Sequence, residues 1–260
     1  MAGARVVDIL ATLSAAGPAA SWPDHLVEEC RQATGMTGVG LAVVSAEGVS
    51  GVVAATGGPA QRMEDLQFTL GEGPCADAST SRRPVLCSDL GVEGVVRWPA
   101  FAFGAAQAGI VAAFTFPLQV GAVAIGVLDL YRDRRGPLSG AHLTEAVAFA
   151  DAAVAVLLHL QERRGDDPVT GVDVDPGWAD LVDRRAVVHQ AAGMISVQLD
   201  VGVVEALLRL RATAFARDLR MADLAGDVVA RRVRFDDSEI GLSPGPGGPD
   251  VDGSPEEEST

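Results

Sequence analysis

Two runs, Ile110–Leu118 (IVAAFTFPL) and Val123–Tyr131 (VAIGVLDLY), decide the fold. Both are of strand length and apolar at nearly every residue, and Gly121 lies between them where the chain must reverse. Strict alternation would mean a sheet with one wet face, whereas continuous apolarity predicts strands covered on both sides. Working outward, Gly38–Ser45 (GVGLAVVS) and Val49–Thr56 (VSGVVAAT) form a second such pair. Ala46-Glu47-Gly48 supplies a turn with a positive-φ position, so this pair reads as a hairpin. Pro84–Cys87 has room for a short strand. Asp24–Thr34 reads as a helix with Leu26, Val27 and Cys30 on one side. Ser139 opens a long helix, with its hydroxyl as cap and Leu138 and Leu143 at the two staple positions. Along that helix Leu143, Val147, Ala150, Val154, Leu157 and Gln161 follow steps of four and three, a stripe for the helix's own sheet or for a second subunit. Residues 24–164 are therefore predicted to be an α+β domain around a central sheet. The segment 1–23 is predicted to be a helical extension carrying Val6, Val7, Ile9, Leu10 and Leu13.

Composition separates this domain from the remainder of the chain. The 260 residues are 48% hydrophobic, 21% charged and 5% aromatic, enough apolar content for a packed core. No apolar run reaches the roughly 18–20 residues that cross a bilayer, and Asp8 interrupts the apolar start, so a cytoplasmic protein is expected. All 20 basic residues are arginine, against 35 acids, for a net charge of −15. Residues 176–236 depart from this balance, with nine Arg and eight acids. Residues 237–260 hold seven acids, four Pro, five Gly and no base, and are expected to be disordered. Between Arg163 and Pro176 two Pro and two Gly interrupt any helix, so 165–177 reads as a linker.

Residues 178–236 are helical in character, with spans Trp178–Leu199, Val201–Arg217 (capped by Asp200) and Met221–Val233 forming a three-helix bundle. On a helical wheel Val203, Leu207, Leu210 and Ala214 face the bundle, and Arg209 faces solvent. Arg211 lies beside the apolar stripe, where its stem covers apolar surface and its head needs an acidic or carbonyl partner. In the first helix Leu181, Val188, Ala192, Ile195 and Leu199 form one stripe and Val187, Ala191 and Met194 a second, which requires a further partner. This leaves Arg184, Arg185, His189, Arg209, Arg217, Arg220, Arg231, Arg232 and Arg234 as candidates for a polyanion-binding surface, since guanidinium groups suit bidentate phosphate contacts. The alternative is a solvated face with local ion pairs, and the wheel does not distinguish RNA from DNA.

Signals for catalysis are sparse, and no enzyme is expected. Gly57-Gly58 and Gly71-Glu72-Gly73 lack the rest of any phosphate or dinucleotide motif and read as turns. Cys30, Cys75 and Cys87 have unrelated spacings and read as buried thiols, with an exposed reactive Cys75 as the alternative. The four histidines form no ligand pair, so no metal or other cofactor is assigned. Asp129 and Tyr131 stand out inside an apolar run, either facing a cavity or forming a satisfied core pair.

LGEGPCADA (70–78), PVLCSDL (84–90), the stretch 97–132 and GPLS (136–139) resemble the sensor domain of actinobacterial GAF–ANTAR regulators. Residues 186–233, through Ala191-Ala192-Gly193-Met194, Ala206, Leu210-Arg211 and Ala214, resemble the ANTAR output domain. The proline-bearing linker and the acidic tail depart from the family pattern. The resemblance implies a GAF-type antiparallel sheet with flanking helices, often enclosing a small-molecule pocket, followed by an all-α three-helix ANTAR bundle. It further implies a homodimeric transcription antitermination regulator that binds RNA hairpins in nascent transcripts and so prevents an overlapping terminator from forming. Sequence-selective recognition of RNA commonly targets such loops. A DNA-binding regulator and a dimeric sensor or scaffold that binds no nucleic acid are the rival expectations.

Overall fold

The computed structural model describes residues 2–45, 48–165, 176–217, 219–236 and 242–244. The chain divides into two compact units at the Arg185/Ala186 junction.

The first unit is built on a five-stranded antiparallel sheet in the order β2-β1-β5-β4-β3. Its strands are β1 (Gly38–Ser45), β2 (Gly48–Ala55), β3 (Val85–Cys87), β4 (Ala112–Val120) and β5 (Val123–Arg132). The two apolar pairs are the two hairpins, and β1 joins them by pairing with β5. Both faces are covered, as continuous apolarity requires. On one face α1 (Ala2–Ala16), α2 (Trp22–Thr34) and α7 (Gly140–Gly165) bury Val39, Leu41, Phe114, Phe116, Leu128 and Leu130 together with Phe149 and Leu157. On the other, α3 (Gly57–Leu70), α4 (Pro74–Ser81), α5 (Val95–Arg97) and α6 (Pro99–Gln107) enclose Met63, Cys75, Trp98, Phe101, Val127 and Tyr131. Side chains that alternate along β4 and β5 are thus shared between two separate cores.

The amino-terminal helix is part of the first core. Ile9 and Leu13 are fully buried, and Arg5 bridges to Glu145 of α7 at 2.9 Å. Ser139 caps α7 by accepting the His142 amide at 3.1 Å. Leu143 and Val147, the first two members of the expected stripe, are exposed at 36% and 40%, whereas Ala146, Phe149, Ala153 and Val156 face the core. Residues Gly140–Glu162 of α7 are long and apolar enough to cross a bilayer, and here their apolar face covers the sheet.

The second unit contains most of α8 (Pro176–Leu199), then α9 (Val203–Ala216), α10 (Met221–Val229) and a short antiparallel pair, β6 (Val233–Phe235) with β7 (Leu242–Pro244). Three expectations are corrected here. Gly202, not Asp200, occupies the cap position of α9, and Asp200 adopts a left-handed backbone at φ 51°. The buried stripe of α9 is Ala206, Leu210 and Ala214, while Val203 at the helix start is 52% exposed. The last helix ends at Val229, because Arg231 turns left-handed at φ 59° and sends the chain into β6. Phe235 of β6 is buried, and its amide donates to Gln198 Oε1 at 2.9 Å. The linker residues 166–175 and the tail residues 237–241 and 245–260 lie outside the described residues.

Candidate functional site

Two sets of charged groups merit attention, one in each unit. In the first unit the register of the sheet determines the set. Gly40 of β1 and Thr115 of β4 both pair with Asp129 of β5, and Gly38 and Ala113 both pair with Tyr131. These residues point toward α3 and α4. Glycine is required at 40 because a Cβ there would stand 1.9 Å from Glu64 Oε1, and at 38 it would stand 2.8 Å from the Ala60 Cβ. The missing side chains let α3 settle on the sheet and deliver Glu64 and Gln67 to its surface.

The result is a dry polar cluster of Glu64, Gln67, Cys75, Thr115, Asp129 and Tyr131, none more than 2% exposed. Tyr131 donates its hydroxyl proton to Glu64 Oε1 at 2.7 Å and accepts from Gln67 Nε2 at 2.8 Å. Gln67 Oε1 in turn accepts the Cys75 amide at 2.8 Å, tying the start of α4 into the network. Thr115 donates to Asp129 Oδ1, and Asp129 Oδ2 has no hydrogen-bond partner among the described residues. The expectation of a satisfied Asp129–Tyr131 pair is therefore corrected: Tyr131 bonds elsewhere, and Asp129 keeps an unmatched oxygen.

Burial dominates the electrostatics. It pushes the Asp129 carboxyl up to about 7, against the Thr115 hydrogen bond that holds it down. Burial and then the neighbouring Asp129 charge raise Glu64 well above the carboxylate range. The Tyr131 hydroxyl and the Cys75 thiol are raised for the same reason. Two carboxylates with no compensating cation cannot both ionise readily in a dry site, so the cluster holds at least one proton at neutral pH. Cys75 is buried and protonated, the opposite of an exposed reactive thiol. Among the described residues no three His, Cys, Asp or Glu side chains converge as metal ligands.

Of the nine expected binding residues, Arg184 and Arg185 close the first unit and seven lie in the second, on α8, α9, β6 and the turns that connect α9, α10 and β6. Arg184 and Arg185 lie on α8, but their side chains are outside the described residues. His189 is exposed on the same helix. Arg209 on α9 pairs with Glu205 one turn earlier at 2.8 Å. Arg217, Arg220, Arg231, Arg232 and Arg234 are all exposed, and of these Arg232 pairs with Asp227 at 2.7 Å. The side chains of Arg231 and Arg234 form no ion pair or hydrogen bond among the described residues. The expectation of an acidic or carbonyl partner for Arg211 is corrected. Arg211 is half-buried, its Nε has no partner among the described residues, and burial alone lowers its pKa.

The first unit is an antiparallel sheet covered by helices on both faces, and its family match makes it a signal-sensing regulatory module. Residues 24–158, more than half of the chain, match the GAF domain, and the chain belongs to that family. No curated protein sequence matches it. Among solved structures it is similar to the GAF domain of an Acinetobacter phosphoenolpyruvate-protein phosphotransferase, with 12% identity, 64% of this chain and 98% of that chain covered, and a TM-score of 0.49. The corresponding domain from Coxiella burnetii gives 13% identity, 63% and 96% coverage and a TM-score of 0.48. The second GAF domain of DevS from Mycobacterium smegmatis gives 22%, 57%, 99% and 0.40.

Proposed function

We propose that this chain is a signal-responsive transcription antitermination regulator of the cytoplasm, in which the GAF domain controls RNA stem-loop binding by residues 178–236, the region that resembles ANTAR. The reading rests chiefly on one observation: in an acidic chain, nine of the 20 arginines fall within 176–236, and five of them, from Arg217 to Arg234, are exposed. Guanidinium groups exposed at the surface suit bidentate contacts with phosphates. Two copies in a homodimer would engage two hairpins of one nascent transcript. A small-molecule ligand of the GAF domain, or a change of protonation, shifts the equilibrium only by favouring one of two states over the other.

The reading is tested by measuring affinity of the full chain for an RNA hairpin and for a DNA duplex of equal charge from 50 to 200 mM salt. Preference for the hairpin is expected, with affinity falling about 100-fold over that range if four phosphates are neutralised. Equal affinity would favour a DNA-binding regulator, and no binding at any salt would leave a dimeric sensor or scaffold.

A further inference from the structure

We infer that α4 is a proton-controlled latch: it seats on the sheet while the carboxyls buried beneath it are protonated, and lifts as Asp129 ionises. The latch lies within the GAF domain and its test involves no nucleic acid, so it stands or falls apart from the RNA-binding reading. Glu64 and Gln67 from α3, Cys75 from α4, Thr115 from β4 and Tyr131 of its own strand face Asp129. Gly40 of β1, its partner on the other side, presents no side chain. Asp65 adds negative charge near Glu64, and none of these groups is a cation. Asp129 Oδ2 is sealed without a hydrogen-bond partner among the described residues. An ionised carboxylate there has neither water nor a counter-charge, and it gains them only when something covering it moves aside.

The cover that can move is α4. Of its eight residues only Pro74, Cys75 and Ala78 are buried, so little apolar surface opposes its release. The chain enters it through Gly71 at φ 65° and Gly73 at φ 130°, backbone states that favour glycine and suit a hinge. The Cys75 amide fastens its start to Gln67 Oε1 at 2.8 Å, and Gln67 in turn donates to the Tyr131 hydroxyl. Seating of α4 is thereby tied to the network that Tyr131 extends to Glu64. On the outer side Asp77 pairs with Arg97 at 2.7 Å, an exposed bridge of small consequence. When α4 lifts, water reaches Asp129, the proton passes to solvent, and the carboxyl regains its ordinary range of about 4. In the closed form burial holds it at about 7. Opening therefore releases one proton between those values, and linkage makes the open population grow up to about tenfold per pH unit before it levels off.

The test is amide hydrogen exchange of the full chain, followed by mass spectrometry from about pH 5 to about pH 8 and divided by the intrinsic exchange rate at each pH. Peptides spanning residues 74–82 should lose about tenfold or more of their protection between about pH 5 and about pH 7 and then hold steady. Peptides from β5 and α7 should stay protected throughout. Asp129→Asn should abolish most of the slope. Thr115→Val removes the hydrogen bond that favours the charged form, so it should carry the levelling-off to higher pH. That variant also serves as the check where Asp129→Asn does not fold. Constant protection of residues 74–82 across the range would overturn the latch. Equal loss in β5 and α7 would do the same, because it would mean global unfolding, as would a slope unchanged in the variants that fold.

Discussion

In the GAF domain the informative charges are two carboxylates, Glu64 and Asp129, sealed beneath α3 and α4, whereas in the helical unit they are guanidinium groups, most of them in water. Burial makes the first set proton-binding: Asp129 is moved up to about 7, and Glu64 also moves upward. Most of the second set is open to solvent, with Arg211 as the half-buried exception. The contrast separates a buried cluster whose protonation is governed by burial from an arginine-rich surface that we propose holds a charged polymer.

The largest effect that sharpens this contrast concerns Asp129. A carboxyl whose folded pKa is raised binds more protons in the folded than in the unfolded state between the two values. Its contribution is therefore most favourable below about pH 4 and is lost progressively as pH rises to about 7, where it levels off. The full range amounts to about 4 kcal/mol as an upper limit. Asp129→Asn should flatten that part of the profile in denaturant titrations from pH 4 to 8, with the share of Glu64 remaining. Parallel profiles for parent and variant would show that Asp129 is not desolvated.

Next comes Gly40→Val, which forces a side chain into Glu64 and lifts α3 from the sheet. A loss of about 3 kcal/mol is expected, within the upper range for overpacking, read as a melting temperature lower by about 6–12 °C. A smaller effect is expected from charge reversal at the unpaired arginines. Arg231→Glu or Arg234→Glu should weaken hairpin binding about tenfold, or about 1.4 kcal/mol, without changing the thermal melt. Residues 245–260 carry five acids and no base, charge that would compete with RNA for the arginines. Deleting residues 245–260 should therefore tighten RNA binding a few-fold, measured by fluorescence anisotropy at 50 mM salt, and unchanged affinity would rule out an electrostatic brake.

Much of the sheet could be read from the sequence because doubly covered strands have an unmistakable pattern, and the runs 110–118 and 123–131 show it on either side of Gly121. The cap at Ser139 located α7 for an equally local reason. The helices α3, α4 and α6 were harder: Gly57, Pro74 and Pro99 punctuate the sequence like turn residues, yet each stands at a helix start, where proline and a positive-φ glycine cost little. The polar cluster was legible only through Asp129 and Tyr131, since Glu64, Gln67, Cys75 and Thr115 join it through tertiary register. Glycines 38 and 40 were the available clue, as two strand positions without side chains mark a close approach. In the helical unit, the wheel placed Arg211 at the edge of the stripe but could not show that it lacks a partner. It also carried the last helix four residues too far, past the left-handed Arg231.

The proposal that the carboxyl-terminal helices hold folded transcripts is tested most directly by crosslinking the full-length protein in cells and sequencing the RNA that copurifies. Enrichment of transcripts with paired stem-loops overlapping a terminator is expected, with crosslinked peptides falling between Arg184 and Arg234. Recovery of no RNA above background, or crosslinks confined to residues 24–158, would contradict it.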